Sequence, residues 1–74
     1  MTPQYYILRI PRGTKLAEGQ ECGLVRHDLE TGVTTFNVKD ERATRFSNVE
    51  RVQKIARSLG AQVVRADNNE IVWP

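Results

Sequence analysis

The stretch "RFSNVERVQKIARSLG", residues 45–60, decides the fold. Its apolar residues recur at positions i, i+3, i+6, i+7 and i+10, a spacing that places their side chains on one face of an α-helix. These residues are Val49, Val52, Ile55, Ala56 and Leu59. A helix with one apolar face has to cover another apolar layer, so the rest of the chain is expected to supply a sheet.

Both ends of this helix carry capping signals. Ser47 precedes Glu50 by three residues, which is the pattern of a capping box and predicts Ser47 as the N-cap. Gly60 follows the last apolar residue, where a left-handed C-terminal cap is expected. Glu50 also stands four residues before Lys54, in the order that favours an ion pair. We therefore predict a helix over residues 48–59.

The strand signals lie on both sides of the helix. Runs of β-branched and aromatic residues, separated by Gly, Pro, Asn and Asp, predict strands at residues 4–10, 22–29, 33–38, 61–66 and 70–73. Gly32 supplies the left-handed conformation that a short hairpin loop needs, and Asn68 and Asn69 tolerate it in the last turn. In the third run, Phe36 and Val38 are expected to share the buried side.

The first strand shows which of its faces points inward. Tyr6, Leu8 and Ile10 alternate onto the more apolar face, which is expected to meet the core. Tyr5, Ile7 and Arg9 fall on the other face. The element order β-β-β-α-β-β then predicts a two-layer α+β domain over residues 1–74, in which one amphipathic helix packs on a mostly antiparallel sheet of four or five strands.

Known catalytic and metal-binding motifs are absent from the sequence. There is no phosphate-binding glycine loop, no zinc-protease motif and no nucleophile elbow. One histidine and one cysteine are too few for a structural zinc site. The cluster His27, Asp28 and Glu30 is either a weak divalent-ion site or the solvated end of a hairpin. We predict a protein that is not an enzyme, with no catalytic residue, no metal site and no cofactor.

The single cysteine, Cys22, cannot form an internal disulfide, so the fold needs no oxidising compartment. The first residues lack the charged start and cleavage site of a signal peptide. No apolar run approaches the roughly 20 residues that span a bilayer. We therefore expect a cytoplasmic protein that does not associate with a membrane.

The main functional signal is the distribution of charge. Residues 42–65 contain six arginines and lysines but only one acid, Glu50, although the formal net charge of the whole chain is +2. The candidate binding residues are Arg45, Arg51, Lys54 and Arg57. The last three lie opposite the apolar stripe, where they form a solvated outer face, a docking site for an acidic protein or a contact surface for nucleic-acid phosphates.

Two aromatic residues are further interface candidates. Tyr5 is expected to be exposed because its neighbour Tyr6 points inward, and Trp73 is either a core residue or an exposed anchor. A short terminal strand would also leave one edge of the sheet open. Pairing through that edge would give a homodimer.

Residues 41–64 resemble a pattern found in small proteins encoded by phages and prophages, including some anti-CRISPR proteins. In that pattern a step of the form A-x-x-F-[ST] enters the helix, here Ala43, Phe46 and Ser47, and A-x-x-L-G leaves it, here Ala56, Leu59 and Gly60. The resemblance implies an accessory protein that acts by binding a host protein or complex. A nucleic-acid-associated regulatory protein is the alternative. The basic helix differs from the acidic surfaces of many anti-CRISPR proteins.

Overall fold

Five strands and one α-helix follow one another in the predicted order. The computed structural model describes residues 4–74. The elements are β1 (Tyr6–Ile10), β2 (Gly23–His27), β3 (Thr34–Val38), α1 (Val49–Leu59), β4 (Gln62–Arg65) and β5 (Ile71–Trp73), with an unpredicted 3-10 helix at Asp40–Arg42. The strands form one sheet in the order β3-β2-β1-β4-β5, and each pairs with its neighbours antiparallel. The predicted α+β fold is confirmed.

The helix packs on the centre of the sheet, where β1 pairs with both β2 and β4. Leu8 stands opposite Val25 on one side and Val63 on the other, and all three side chains are fully buried. Helix residues Val52 and Ala56 close this core from above and are also fully buried. The predicted inward face of β1 is therefore correct.

The other face of the sheet is also covered, which the sequence did not predict. Ile7, expected on the outward face of β1, is fully buried, and it forms a second apolar cluster with Ala43 and Val64. Ala43 belongs to the connection between β3 and the helix. The sequence of this connection is mostly charged and polar, so no part of it was expected in the core. This connection lies against the second face, so both faces of β1 contribute to the core.

The connection then passes between β1 and β2 to reach the helix. The β1–β2 register, continued by two residues from Leu8 and Val25, would place Tyr6 opposite His27. Instead, Tyr6 exchanges two backbone hydrogen bonds of 2.8 Å with Phe46. The Thr44 hydroxyl accepts a bond from the His27 N–H at 2.8 Å and donates one to the His27 carbonyl at 3.0 Å. The inserted segment thus satisfies the backbone groups that the two strands leave free.

The N-terminus of the helix differs from the prediction by one residue. Asn48, not Ser47, is the N-cap, and its side-chain oxygen accepts hydrogen bonds from the N–H groups of Glu50 and Arg51 at 3.0 and 3.2 Å. Within residues 4–74, Glu50 forms neither the reciprocal capping bond nor an ion pair with Lys54. Pairing with Tyr6 holds Phe46 extended, and the chain turns into the helix after Asn48.

The C-terminus of the helix and the turns agree better with the sequence. Gly60 is the left-handed cap, with φ of 71°. Gly32 has φ of 76° in the hairpin loop, as predicted. In the turn after β4, Asn69 takes the left-handed conformation with φ of 59°, whereas Asn68 does not.

A bulge in β3 changes which side chains meet the helix. Leu24 pairs with Val38 and Val25 with Phe36, so Asn37 is an extra residue, with φ of 54°. Phe36 therefore packs against the helix-side core, while Val38 packs against the second cluster. The expectation that they share one side is wrong, because the extra residue reverses the alternation.

We predict that Asn48→Ala destabilises the protein by about 1 kcal/mol, because two amide groups of the first helical turn lose their acceptor. Ser47→Ala is the matched control and is expected to change the free energy of unfolding by less than about 0.5 kcal/mol. Urea denaturation followed by circular dichroism measures both values. A larger loss for Ser47→Ala would restore Ser47 as the cap.

We predict that Gly23→Ala destabilises the protein by about 2–3 kcal/mol, since a left-handed backbone and a steric clash both oppose the methyl group. Gly23 has φ of 116°, and a Cβ there would lie 2.9 Å from Asn37 Oδ1. Gly32→Ala is the control, because φ is also positive but, apart from its chain neighbours, no heavy atom of the described residues lies within 4 Å of its Cβ position. Equal losses in urea denaturation would show that contact with Asn37 contributes nothing.

Candidate binding surface on the helix

The outer face of the helix carries the three predicted cations. Arg51, Lys54 and Arg57 are exposed, and none of them forms an ion pair with a residue of the described chain, 4–74. We call these three residues the cationic ridge. Because the apolar stripe on the opposite face is anchored in the core, the helix holds the ridge toward solvent.

Arg45, the fourth predicted binding residue, makes local contacts. Its guanidinium forms an ion pair with Asp40 at 3.1 Å. It also donates to the carbonyls of Asp40 and Ala43, at 3.1 and 3.4 Å. Both terminal nitrogens are thus occupied in securing the connection that covers the second face. A binding role for Arg45 stays a prediction, and we do not count this residue in the cationic ridge.

Trp73 lies beside the ridge and is half-buried. It packs against the helix-side core, and the Arg57 guanidinium lies 6.0 Å from the centre of its ring. This distance is at the outer limit of a cation–π contact, which contributes about 0.5–1 kcal/mol at exposed positions. Trp73 was predicted to be either a core residue or an exposed anchor. It is partly both, since one part of the side chain packs in the core and another remains accessible.

Tyr5, the second predicted aromatic contact, is 41% exposed. It belongs to the face of the sheet opposite the helix, because it shares the alternation of Ile7 and Arg9. Its carbonyl accepts a hydrogen bond from Ala66 N–H at 2.9 Å. The structure therefore separates Tyr5 from the cationic ridge by the thickness of the sheet.

The His27–Asp28–Glu30 cluster forms a turn. Asp28 Oδ1 accepts hydrogen bonds from the N–H groups of Glu30 and Thr31, at 2.8 and 3.3 Å. These bonds hold the pKa of the Asp28 carboxyl below its ordinary value, with a smaller contribution from Arg26. Among residues 4–74, no three histidine, cysteine or acidic side chains are grouped so that they would hold a metal ion.

The two edges of the sheet bear on the predicted homodimer. Both edge strands contain a bulge, at Asn37 in β3 and at Val72 in β5, and Pro74 follows β5. A bulge twists the edge of a sheet, and a proline lacks the backbone N–H donor. Both features oppose pairing with another strand. Ile71 and Val72 are nevertheless 50% and 43% exposed. Dimerisation through an edge stays a prediction.

No protein-family model, curated protein or solved structure matches this chain. The resemblance to phage-encoded proteins therefore stays a prediction. The part of the chain that the structure describes holds no helix with the length and apolar composition needed to cross a bilayer.

The helix contact with Trp73 was not predictable from sequence, because Arg57 and Trp73 are sixteen positions apart and belong to different elements. Its sequence signal was limited to the presence of a single tryptophan at the end of the terminal strand. The cationic ridge was predictable, because it depends only on helical spacing.

We predict that Arg57→Gln lowers the iodide quenching constant of Trp73 fluorescence and raises that of caesium. The guanidinium attracts the anionic quencher and repels the cationic one, so removing its charge weakens both effects. Trp73 is the only tryptophan, which makes its emission an unambiguous reporter.

Lys54→Gln removes the same charge from the same helix and is the control for this measurement. It should alter both quenching constants less than Arg57→Gln does, since the cation found over the ring among residues 4–74 is Arg57. Equal changes in the two variants would show that Arg57 has no special position over Trp73.

Proposed function

We propose that this protein is a non-catalytic binding module of the phage or prophage accessory type, which works in the cytoplasm. It docks on an acidic surface of a host protein through the cationic ridge. The observation that carries this proposal is the presence of three exposed cations on one helix face, with no ion pair to any acid among residues 4–74.

The rigidity of the helix supports this role. Val52 and Ala56 are fully buried beneath it, and Asn48 and Gly60 cap its two ends. The backbone under the ridge thus needs no ordering when a partner binds, which lowers the entropic cost of association. Neighbouring ridge residues are three positions apart, which corresponds to a rise of about 4.5 Å. Carboxylates one turn apart on a partner helix have a similar spacing, about 5.4 Å.

A protein partner fits the surface better than nucleic acid does. Three phosphate contacts give only weak binding that falls steeply with salt. Single-strand binders add exposed aromatic rings on which bases stack, yet Tyr5 lies on the opposite face of the sheet, and Trp73 is half-buried with the Arg57 guanidinium 6.0 Å from its ring centre.

The proposal that the protein is not an enzyme is supported by its sequence, which has none of the common catalytic motifs. Asp28 adds no acid–base function, because its pKa is moved away from neutrality by hydrogen bonds in an exposed turn. The single cysteine is consistent with work in a reducing compartment.

We predict that a helical peptide with glutamates one turn apart binds the protein, and that Arg51→Glu with Lys54→Glu weakens this binding at least about tenfold, because two attractions become repulsions. Fluorescence anisotropy measures binding of the labelled peptide, of its glutamine counterpart and of a duplex DNA, at low and at physiological salt. Arg57 is left unchanged, so that its contact with Trp73 is preserved.

Arg26→Glu with Lys39→Glu is the charge-matched control, because both residues are exposed and lie outside the helix. This variant should retain most of the peptide binding. An equal loss in both variants would mean that overall charge, not the ridge, attracts the peptide. DNA binding that is tighter than peptide binding and is lost with Arg51 and Lys54 would instead establish the nucleic-acid alternative.

A further inference from the structure

A second cationic feature lies outside the helix, where β1 and β2 meet the loop that joins them. It is an open concavity with a volume of about 360 Å³. Its lining residues are Arg9, Ile10, Arg12, Cys22, Gly23 and Asn37. They come from the end of β1, the following turn, the start of β2 and the bulge of β3, so the concavity exists only in the folded chain.

Three side chains of this concavity, those of Arg9, Arg12 and Asn37, carry N–H donors that have no acceptor within residues 4–74. Arg9 and Arg12 are exposed, and neither forms an ion pair with a residue of the described chain. The Asn37 carboxamide likewise makes no hydrogen bond within residues 4–74 that would occupy its NH₂ group. Among residues 4–74, no carboxylate lines the concavity. Guanidinium groups only donate, and their planar forks match oxyanions.

The bulge in β3 brings Asn37 against Gly23 in the lining of the concavity. Gly23 and Asn37 both have positive φ, 116° and 54° respectively. A side chain at Gly23 would meet Asn37 Oδ1 at 2.9 Å, so only glycine leaves this space clear. Backbone in such sparsely populated conformations costs energy and is found preferentially at binding sites.

Two acids that share a second concavity with Arg9 form ion pairs with other arginines. Arg9 also lines a neighbouring concavity that contains Asp40 and Asp67. Asp40 is bound to Arg45 at 3.1 Å and Asp67 to Arg65 at 3.2 Å. Neither acid forms an ion pair with Arg9 itself.

From these observations the geometry points to a phosphoryl-binding site, in which Arg9 and Arg12 grip the oxygens of a phosphate group and Asn37 donates a further hydrogen bond. Charge-assisted bonds from two arginines favour a dianion over chloride or a single carboxylate. The volume of about 360 Å³ exceeds that of phosphate alone, which leaves space for part of an organic group attached to the phosphate.

The test is a titration of the ¹⁵N-labelled protein with inorganic phosphate and, separately, with adenosine monophosphate, at constant ionic strength set with sodium chloride. We expect saturable shifts of the Gly23 and Asn37 amide signals in the millimolar range. Arg9→Gln with Arg12→Gln should weaken binding at least tenfold. Arg9→Lys with Arg12→Lys keeps the charge but not the fork and should weaken it less.

Arg26→Gln with Arg42→Gln is the matched control, because it removes the same charge from exposed arginines outside the concavity. It should bind phosphate as the unmodified protein does, and so should Arg51→Glu with Lys54→Glu, which separates this site from the helix surface. Tighter binding of adenosine monophosphate would identify an organic phosphomonoester as the ligand, and equal binding would identify phosphate itself. Shifts that do not saturate, or an equal loss in the control, would overturn the proposal.

Discussion

The rest of the structure depends on the short backbone pairing between Tyr6 and Phe46. Each donates to the carbonyl of the other at 2.8 Å, in the place where β2 would otherwise continue along β1. Thr44 satisfies the groups of His27 that this insertion leaves free. The insertion carries the chain from one face of the sheet to the other. It therefore fixes where the connection ends, where the helix begins and which face the helix covers.

This route lets a chain of 74 residues use both faces of its central strand. Ile7 and Leu8 are adjacent and point to opposite faces, yet both are fully buried. A small domain buries a limited share of its surface, so covering the second face with the connection adds apolar burial without a second helix. The bulge at Asn37 also supplies apolar side chains to both faces, because it directs Phe36 to one cluster and Val38 to the other.

The basic residues of the chain differ in whether an acid pairs with them. Arg45 and Arg65 are held by nearby acids, at 3.1 and 3.2 Å. The cationic ridge and the Arg9–Arg12 pair have no such partner among residues 4–74 and lie on different parts of the surface. The net charge of +2 conceals this separation. Unpaired charge on rigid backbone is the property from which both proposed contacts are inferred.

The sequence by itself determined the helix, its exposed cations, the cap at Gly60 and the order of the strands along the chain, because these follow from spacing and conformational preference within a few residues. It did not determine the N-cap, since Ser47 and Asn48 are both good caps and the pairing of Phe46 with Tyr6 selects between them. Strand order in the sheet, the burial of Ile7 and the contacts of Arg45 and Trp73 were decided by the tertiary structure. They depend on partners distant in sequence, and local pattern carries no information about which distant segments meet.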